Sequence, residues 1–81
     1  MKYKIAVIGL GYVGLPLANA FSIKYDVLGY DCESDRVKEL NQGFDHTNQI
    51  STRDLKKTLQ KITFSNRSDL LSDCNIYIIT V

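Results

Sequence analysis

The sequence is poor in cysteine and has a single proline and a single histidine among its 81 residues. Its two cysteines, Cys32 and Cys74, lack the C-x-x-C spacing of redox and zinc motifs and are too few for a disulfide framework. We therefore expect reduced, buried, structural thiols in a cytoplasmic protein. His46 has no spaced partner, so we expect a solvated side chain and no metal site.

The chain also lacks an excess of either charge and any long apolar run. Ten Lys/Arg oppose nine Asp/Glu, which gives a formal net charge of +1. Such a balance offers no broad surface for nucleic acid or an anionic membrane, and no apolar run is long enough to span a bilayer. Any phosphate binding must therefore be local. The hydrophobic content of 44% is ordinary for a globular protein, and the length fits at most one domain.

Short apolar runs alternate with helical patterns along the chain. The apolar runs predict four strands, and the first is apolar enough to be buried on both faces of a parallel sheet. Three- and four-residue spacing predicts two long helices, a third helix that opens with the capping pair Ser51 and Asp54, and one short helical turn. The predicted strands are 3–8, 26–30, 62–64 and 76–81; the helices are 12–24, 34–42, one from 51 and the turn 69–72; residues 44–50 form a loop.

The same spacing predicts which helical side chains face the sheet. Gly43 is expected to end the second helix. Pro16 lies just past the predicted first turn of the first helix, where a bend is expected. The predicted inward residues are Val13, Leu17, Ala20 and Phe21 in the first helix, Val37 and Leu40 in the second, and Leu55 and Leu59 in the third.

Alternating strands and helices predict an α/β fold, a Rossmann-like parallel sheet with helices on both faces. Right-handed crossovers give the strand order 3-2-1-4, and the fold is expected to be truncated after the fourth strand. Because an apolar last strand leaves a sheet edge exposed, we expect the natural protein to continue past Val81. For the same reason we expect the isolated chain to self-associate, and we expect the protein to form a homo-oligomer.

A G-x-G-x-x-G sequence follows the first strand and opens the first helix, which is the context of a dinucleotide-binding turn. The first glycine permits the tight turn, the second lets a diphosphate approach the backbone, and the third lets helix and strand pack closely. The N–H groups of Tyr12 and Val13 would face the diphosphate at the positive end of the helix dipole. The alternative is that the glycines merely serve a tight turn. The motif is Gly9-Leu10-Gly11-Tyr12-Val13-Gly14.

Two charged residues follow at positions that suit the same ligand. Asp31 comes roughly 20 residues after the motif, at the carboxyl end of the second strand, where its carboxylate can accept bonds from the adenosine ribose. Its charge would repel the 2′-phosphate of NADP, so NAD is favoured. Asp31 could instead be a solvated loop residue or a helix cap. Arg36 could lean over the adenosine or reach the diphosphate, or could equally be an exposed surface arginine.

The chain resembles the UDP-glucose/GDP-mannose dehydrogenase family, and most closely its UDP-N-acetylhexosamine branch, as in Vi-antigen and O-antigen biosynthesis. The resemblance rests on KIAVIGLGYVGLPLA at 4–18, Gly-Tyr-Asp at 29–31, Arg36 and IYIITV at 76–81. It implies NAD held by the glycine turn, with Asp31 at the ribose and Arg36 near the adenosine. It also implies oxidation of a sugar C6 alcohol to a carboxylate through a cysteine that lies beyond position 81, as does the sugar-nucleotide domain.

We therefore expect residues 1–81 to be a partial NAD-binding Rossmann domain of a UDP-sugar 6-dehydrogenase, inactive alone. The expected partners are a nucleotide-sugar substrate and further copies of the protein, without nucleic acid or membrane. A second hypothesis is a non-catalytic NAD-sensing or ligand-binding module, and a third is a scaffold without cofactor. The expected cofactor-binding residues are Gly9, Gly11, Tyr12, Val13, Gly14, Asp31 and Arg36.

Overall fold

A computed structural model describes residues 2–80, and in it four parallel strands form one sheet in the order β3-β2-β1-β4. This confirms the predicted fold class and strand order. The strands, with bounds close to those predicted, are β1 (Lys4–Ile8), β2 (Asp26–Tyr30), β3 (Ile62–Ser65) and β4 (Ile76–Ile79). The helices are α1 (Gly14–Phe21), α2 (Ser34–Asn41), α3 (Thr52–Thr58) and a 3-10 helix (Ser68–Asp73). The predicted final strand residue, Val81, lies outside the described residues.

The register of the sheet brings the ends of the two central strands level. Lys4 pairs with Asp26 and Ile8 pairs with Tyr30, so β1 and β2 finish side by side. The chain then leaves β1 through Gly9 and leaves β2 through Asp31. The Gly9 N–H donates to the Tyr30 carbonyl at 2.8 Å. Two residues that are distant in sequence thus meet at the carboxyl edge of the sheet, where parallel α/β folds bind their ligands.

Alternate residues of the strands form two apolar clusters on opposite faces of the sheet. The larger cluster includes Ile5 and Val7 of β1 and is covered by residues of α1, α2 and α3. The smaller includes Ala6 and Leu28 and is covered by leucines of the 3-10 helix and by Cys74. Helical elements therefore lie on both faces, as predicted, because the crossover from β3 to β4 passes over the face that the α-helices leave open.

The predicted inward face of the first helix was wrong in part. The α1 helix begins at Gly14 because residues 11–13 form the turn, so Val13 precedes the helix, and the helix buries a different face from the predicted one. Leu15 and Ala18 are buried, whereas Val13 is 59% exposed and Ala20 is exposed. The later start also places Pro16 within the first turn, where backbone N–H groups have no intrahelical partner to lose.

The other predicted helices and their boundaries agree with the structure. Val37 and Leu40 are buried on α2. Gly43 ends this segment with a φ of +85° and donates its N–H to the Leu40 carbonyl at 3.0 Å. Ser51 caps α3, its side chain accepting from the Asp54 N–H at 3.2 Å. No helix among residues 2–80 has the length and apolar character needed to cross a membrane.

The two cysteines differ in environment. Cys74 is buried, as predicted, and burial raises the pKa of its thiol; the charge of Lys4 opposes this rise and that of Asp73 adds to it. Cys32 is exposed, so the prediction of a buried thiol was wrong there. Cys32 lies two residues after the end of β2, in an exposed loop. The sequence around it does not show that the chain has already left the sheet at this residue.

Candidate dinucleotide site

The turn from β1 to α1 depends on two glycines that allow no side chain. Gly9 has a φ of +99°, a conformation that favours glycine, and a methyl group there would lie 2.6 Å from the Thr80 carbonyl oxygen. A methyl group on Gly14 would lie 1.6 Å from the carbonyl oxygen of Gly9. The first glycine therefore makes the turn and the third lets α1 start directly against it.

Gly11 differs from both neighbours in the motif. Its φ is not in the left-handed region, and an added methyl group would meet no protein atom within 4 Å. The folded chain thus gives no reason for a glycine at this position. A reason does arise if a ligand must approach the backbone here closely, which is the role that the middle glycine of a dinucleotide turn has.

The turn presents three backbone donors without partners. Gly11, Tyr12 and Val13 are exposed, and no acceptor within residues 2–80 receives their N–H groups. They directly precede α1, whose dipole places partial positive charge at this end. Consecutive N–H groups at a helix N-terminus form a binding site for phosphate. The Tyr12 ring is 69% exposed, so its backbone is the part that the fold holds in place.

The peptide groups of Leu10, between the first two glycines, are fully occupied. Leu10 is buried, and its N–H donates to Asp31 Oδ2 at 2.9 Å. Its carbonyl accepts a hydrogen bond from Arg36 Nε at 2.7 Å. An acidic and a basic side chain therefore hold this residue from either side. The donors available to a ligand begin at the next residue, Gly11.

Asp31 lies where the sequence predicts it, at the end of β2 and against the turn. Besides the Leu10 N–H, its carboxylate accepts the N–H of Glu33 through Oδ1 at 3.0 Å. An ionised carboxylate has about four acceptor sites, and these two bonds use half of them. Asp31 is only partly buried, so its remaining acceptor sites can receive hydroxyl groups from a ligand.

Arg36 is not the exposed surface arginine that the sequence allowed as an alternative. Its side chain is 6% exposed and lies behind the turn. Besides its bond to Leu10, Nη1 lies 2.9 Å from Glu39 Oε2 and 2.9 Å from Asp45 Oδ1. Nη2 is buried and has no hydrogen-bond partner within the described part of the chain. Arg36 thus contacts the site through the backbone of the glycine turn.

Two carboxylates contact the guanidinium group of Arg36. Burial alone would raise the pKa of Asp45, but hydrogen bonds from the Thr47 hydroxyl, from Arg36 and from backbone N–H groups lower it to about 2. Burial alone would also raise the pKa of Glu39. Hydrogen bonds from His46 and the charges of His46 and Arg36 outweigh this effect, so the pKa of Glu39 is lowered. The His46 ring is 62% exposed, as predicted, yet its Nδ1 lies 2.6 Å from Glu39 Oε2, a pairing that the sequence did not suggest.

Thr80 is a residue of the site that the sequence analysis missed. Its hydroxyl donates to the Gly9 carbonyl at 2.8 Å and contacts the Ile8 carbonyl at 3.3 Å. It follows β4, which pairs with β1, so its position at the carboxyl edge places it against the turn. A polar residue directly after an apolar strand that neighbours the first strand was the available signal.

The chain matches a family model, over residues 3–81, described as the UDP-glucose/GDP-mannose dehydrogenase family, NAD binding domain. It is 44% identical over 78 residues to UDP-N-acetyl-D-glucosamine 6-dehydrogenase of Pseudomonas aeruginosa, covering 96% of this chain and 18% of that protein. The structure of UDP-D-ManNAc dehydrogenase from Pyrococcus horikoshii is similar with a TM-score of 0.88 and 41% identity, over 96% of this chain and 20% of that one.

A more distant likeness is to a ternary complex of GDP-mannose dehydrogenase from Pseudomonas aeruginosa. Its TM-score is 0.83 at 26% identity, over 95% of this chain and 19% of that one. The chain thus spans about a fifth of the length of the relatives that it matches.

Proposed function

Because this chain belongs to the UDP-glucose/GDP-mannose dehydrogenase family, we propose that it forms the first part of the NAD-binding domain of a nucleotide-sugar 6-dehydrogenase. The matched domain is the NAD-binding one, so NAD is the cofactor. The substrate that we propose is a UDP-N-acetylhexosamine, since the relative that is 44% identical acts on UDP-N-acetyl-D-glucosamine. The product is the corresponding uronate, for synthesis of a surface polysaccharide.

One observation carries the cofactor assignment: three exposed and unpaired N–H groups stand beside a carboxylate with spare acceptor sites. The N–H groups of Gly11, Tyr12 and Val13 would bind the diphosphate of NAD. Asp31, at the end of the adjacent strand, would accept hydroxyl groups of the adenosine ribose. The open space at Gly11 fits this use, since nothing in the protein fills it.

NAD, when bound, accepts the hydride from the sugar alcohol, and the residues of this chain bind and orient it. Gly9 and Gly14 set the shape of the turn, and Arg36 holds its Leu10 carbonyl in place. The negative charge of Asp31 would stand close to the 2′-phosphate of NADP, which favours NAD.

We propose that the rest of the dinucleotide domain and a sugar-nucleotide domain follow these 81 residues in the full-length protein. Support comes from the relatives, of which this chain covers about a fifth. The cysteine that takes part in the oxidation and the residues that bind the sugar nucleotide would then lie outside this chain, and the chain alone would be inactive. We also propose that the full-length protein is a cytoplasmic homo-oligomer.

The test is an assay of the full-length protein for NAD reduction with UDP-N-acetylglucosamine, UDP-N-acetylgalactosamine and UDP-glucose. We expect turnover with at least one UDP-N-acetylhexosamine, faster than with UDP-glucose. Asp31→Asn is the test variant for the cofactor site, since it removes the charge at the ribose and should weaken NAD binding. If NAD binds but no nucleotide sugar is oxidised, the dehydrogenase is refuted in favour of an NAD-sensing module.

A further inference from the structure

Asp45 is a buried carboxylate that the proposed function does not use. It lies in the loop between α2 and α3, and its side chain has no exposed surface. Its Oδ1 accepts bonds from Arg36, from the Thr47 N–H at 3.0 Å and from the Thr47 hydroxyl at 2.6 Å. Its Oδ2 accepts the N–H groups of Gln49 at 2.8 Å and Ile50 at 3.1 Å. Such a set fixes both oxygens of the carboxylate.

The contact with Arg36 extends from this loop to the glycine turn. A guanidinium group is planar and rigid, so fixing one nitrogen restricts the directions of the others. Asp45 and Glu39 hold Nη1, and on the same plane Nε donates to the Leu10 carbonyl at 2.7 Å. Asp45 therefore reaches Leu10 through a single side chain, although the two residues lie on different elements.

We propose that Asp45 is a positioning residue for the dinucleotide, which acts through Arg36 on the Leu10 carbonyl and so sets the direction of the Gly11, Tyr12 and Val13 N–H groups. The peptide plane that contains the Leu10 carbonyl also contains the Gly11 N–H. A bond that orients this carbonyl therefore orients the first of the three ligand-facing donors. The inference rests on the proposed function, which needs those donors.

The hydrogen bonds of Asp45 separate this role from a purely local one. Thr47, Gln49 and Ile50 lie within five residues of Asp45, so their bonds shape only the loop. The bond to Arg36 differs from these, because it joins the loop to α2 and to the side chain that bonds the Leu10 carbonyl. Asp45 therefore contacts, besides its own loop, a buried arginine whose Nε donates to the glycine turn.

The experiment compares Asp45→Asn with Thr58→Val in the full-length protein. Asparagine keeps the size of the side chain but removes its charge and one acceptor. Thr58 is the matched control, because its buried hydroxyl bonds Asn19 and the Asp54 carbonyl, away from the turn. Two quantities are measured: the dissociation constant for NAD by calorimetry, and the exchange rate of the Leu10 N–H, which is bonded to Asp31.

We expect Asp45→Asn to raise the NAD dissociation constant about tenfold and to speed exchange at Leu10, whereas Thr58→Val changes the affinity less than about twofold. Equal affinities in a folded Asp45→Asn and in Thr58→Val, with equal Leu10 exchange, would overturn the positioning role while leaving NAD binding intact. Absence of NAD binding by the unsubstituted protein would instead overturn the proposed function, and this role with it.

If Asp45→Asn does not fold, a milder variant tests the same positioning role. Thr47→Val removes one hydrogen bond, the 2.6 Å contact to Asp45 Oδ1, and leaves the charge pair with Arg36. We expect a smaller rise in the NAD dissociation constant, about twofold to threefold, with faster exchange at Leu10. Unchanged affinity and unchanged exchange in this variant would refute the proposal.

Discussion

Alanine at Gly11 and alanine at Gly14 should have opposite consequences, although the two glycines belong to one motif. At Gly11 the added methyl group meets no protein atom within 4 Å, and the backbone conformation is open to alanine. We expect the free energy of unfolding to change by no more than about 1 kcal/mol, with a stabilising sign, because alanine restricts the unfolded chain.

At Gly14 the methyl group would lie 1.6 Å from the Gly9 carbonyl oxygen, where contacts under 3.0 Å are essentially never found. The start of α1 would have to move away from the turn by more than 1 Å. Backbone atoms cannot relax as a flexible side chain does, so we expect Gly14→Ala to destabilise the fold by about 3 kcal/mol.

The effect of Gly11→Ala should appear in the affinity for NAD. A methyl group in the open space before the turn would hold the diphosphate away from the N–H groups at 11–13. Loss of one hydrogen bond to a charged group is worth about 1.5–3 kcal/mol, so the affinity should fall roughly tenfold to a hundredfold. Denaturant unfolding and calorimetric NAD titration of the full-length protein measure the two quantities. A Gly11→Ala variant that binds NAD as tightly as the unsubstituted protein would refute the diphosphate position.

Three further predictions follow from charge and burial. Asp31→Asn should raise the affinity for NADP relative to NAD by about tenfold, or ~1.4 kcal/mol, in paired titrations; an unchanged ratio would contradict the ribose contact. Because the pKa of Asp45 is lowered from 3.8 to about 2, its carboxylate stabilises the fold by about 2 kcal/mol at pH values above 3.8. This contribution should be lost as the pH falls to about 2, and acid unfolding of Asp45→Asn should lack that step. Cys32 should react with thiol reagents long before Cys74 does, and equal rates in the folded protein would contradict the burial of Cys74.

Much of the fold could be predicted because it follows from local patterns. Continuous apolar runs identify buried parallel strands, and alternation of strands with helices leaves one crossover hand and hence one strand order. The inward face of α1 could not be predicted as well. Residues 13, 17, 20 and 21 have helical spacing, but α1 buries Gly14, Leu15 and Ala18. In a helix that is apolar on more than one side, spacing alone does not decide which face packs on the sheet. The motif fixes the turn, but the phase of the helix depends on Gly14 packing against Gly9.

The candidate site could be predicted where backbone geometry alone defines it. The glycine spacing and the position of Asp31 after β2 require only that two parallel strands end at the same edge. The place of Arg36 required more. Its burial depends on Leu10, 26 residues earlier, and on Asp45, nine residues later, and neither spacing is a helical or strand repeat. From sequence alone, a single arginine on a polar helix is predicted to be exposed to solvent unless its partners are known.

The charges that support the turn have a consequence for how it attracts a phosphate. Arg36 is the only cation bonded to Leu10 among the described residues. Two carboxylates, those of Glu39 and Asp45, contact its Nη1, and a third carboxylate, that of Asp31, accepts the Leu10 N–H. The side chains that hold the turn therefore carry no net positive charge to offer an anion. Attraction must come from the bare N–H groups and the dipole of α1, which act at short range and only in the correct direction. Under the proposed function, a chain of net charge +1 would bind the diphosphate through the orientation of the peptide between Leu10 and Gly11, and not through an excess of cations.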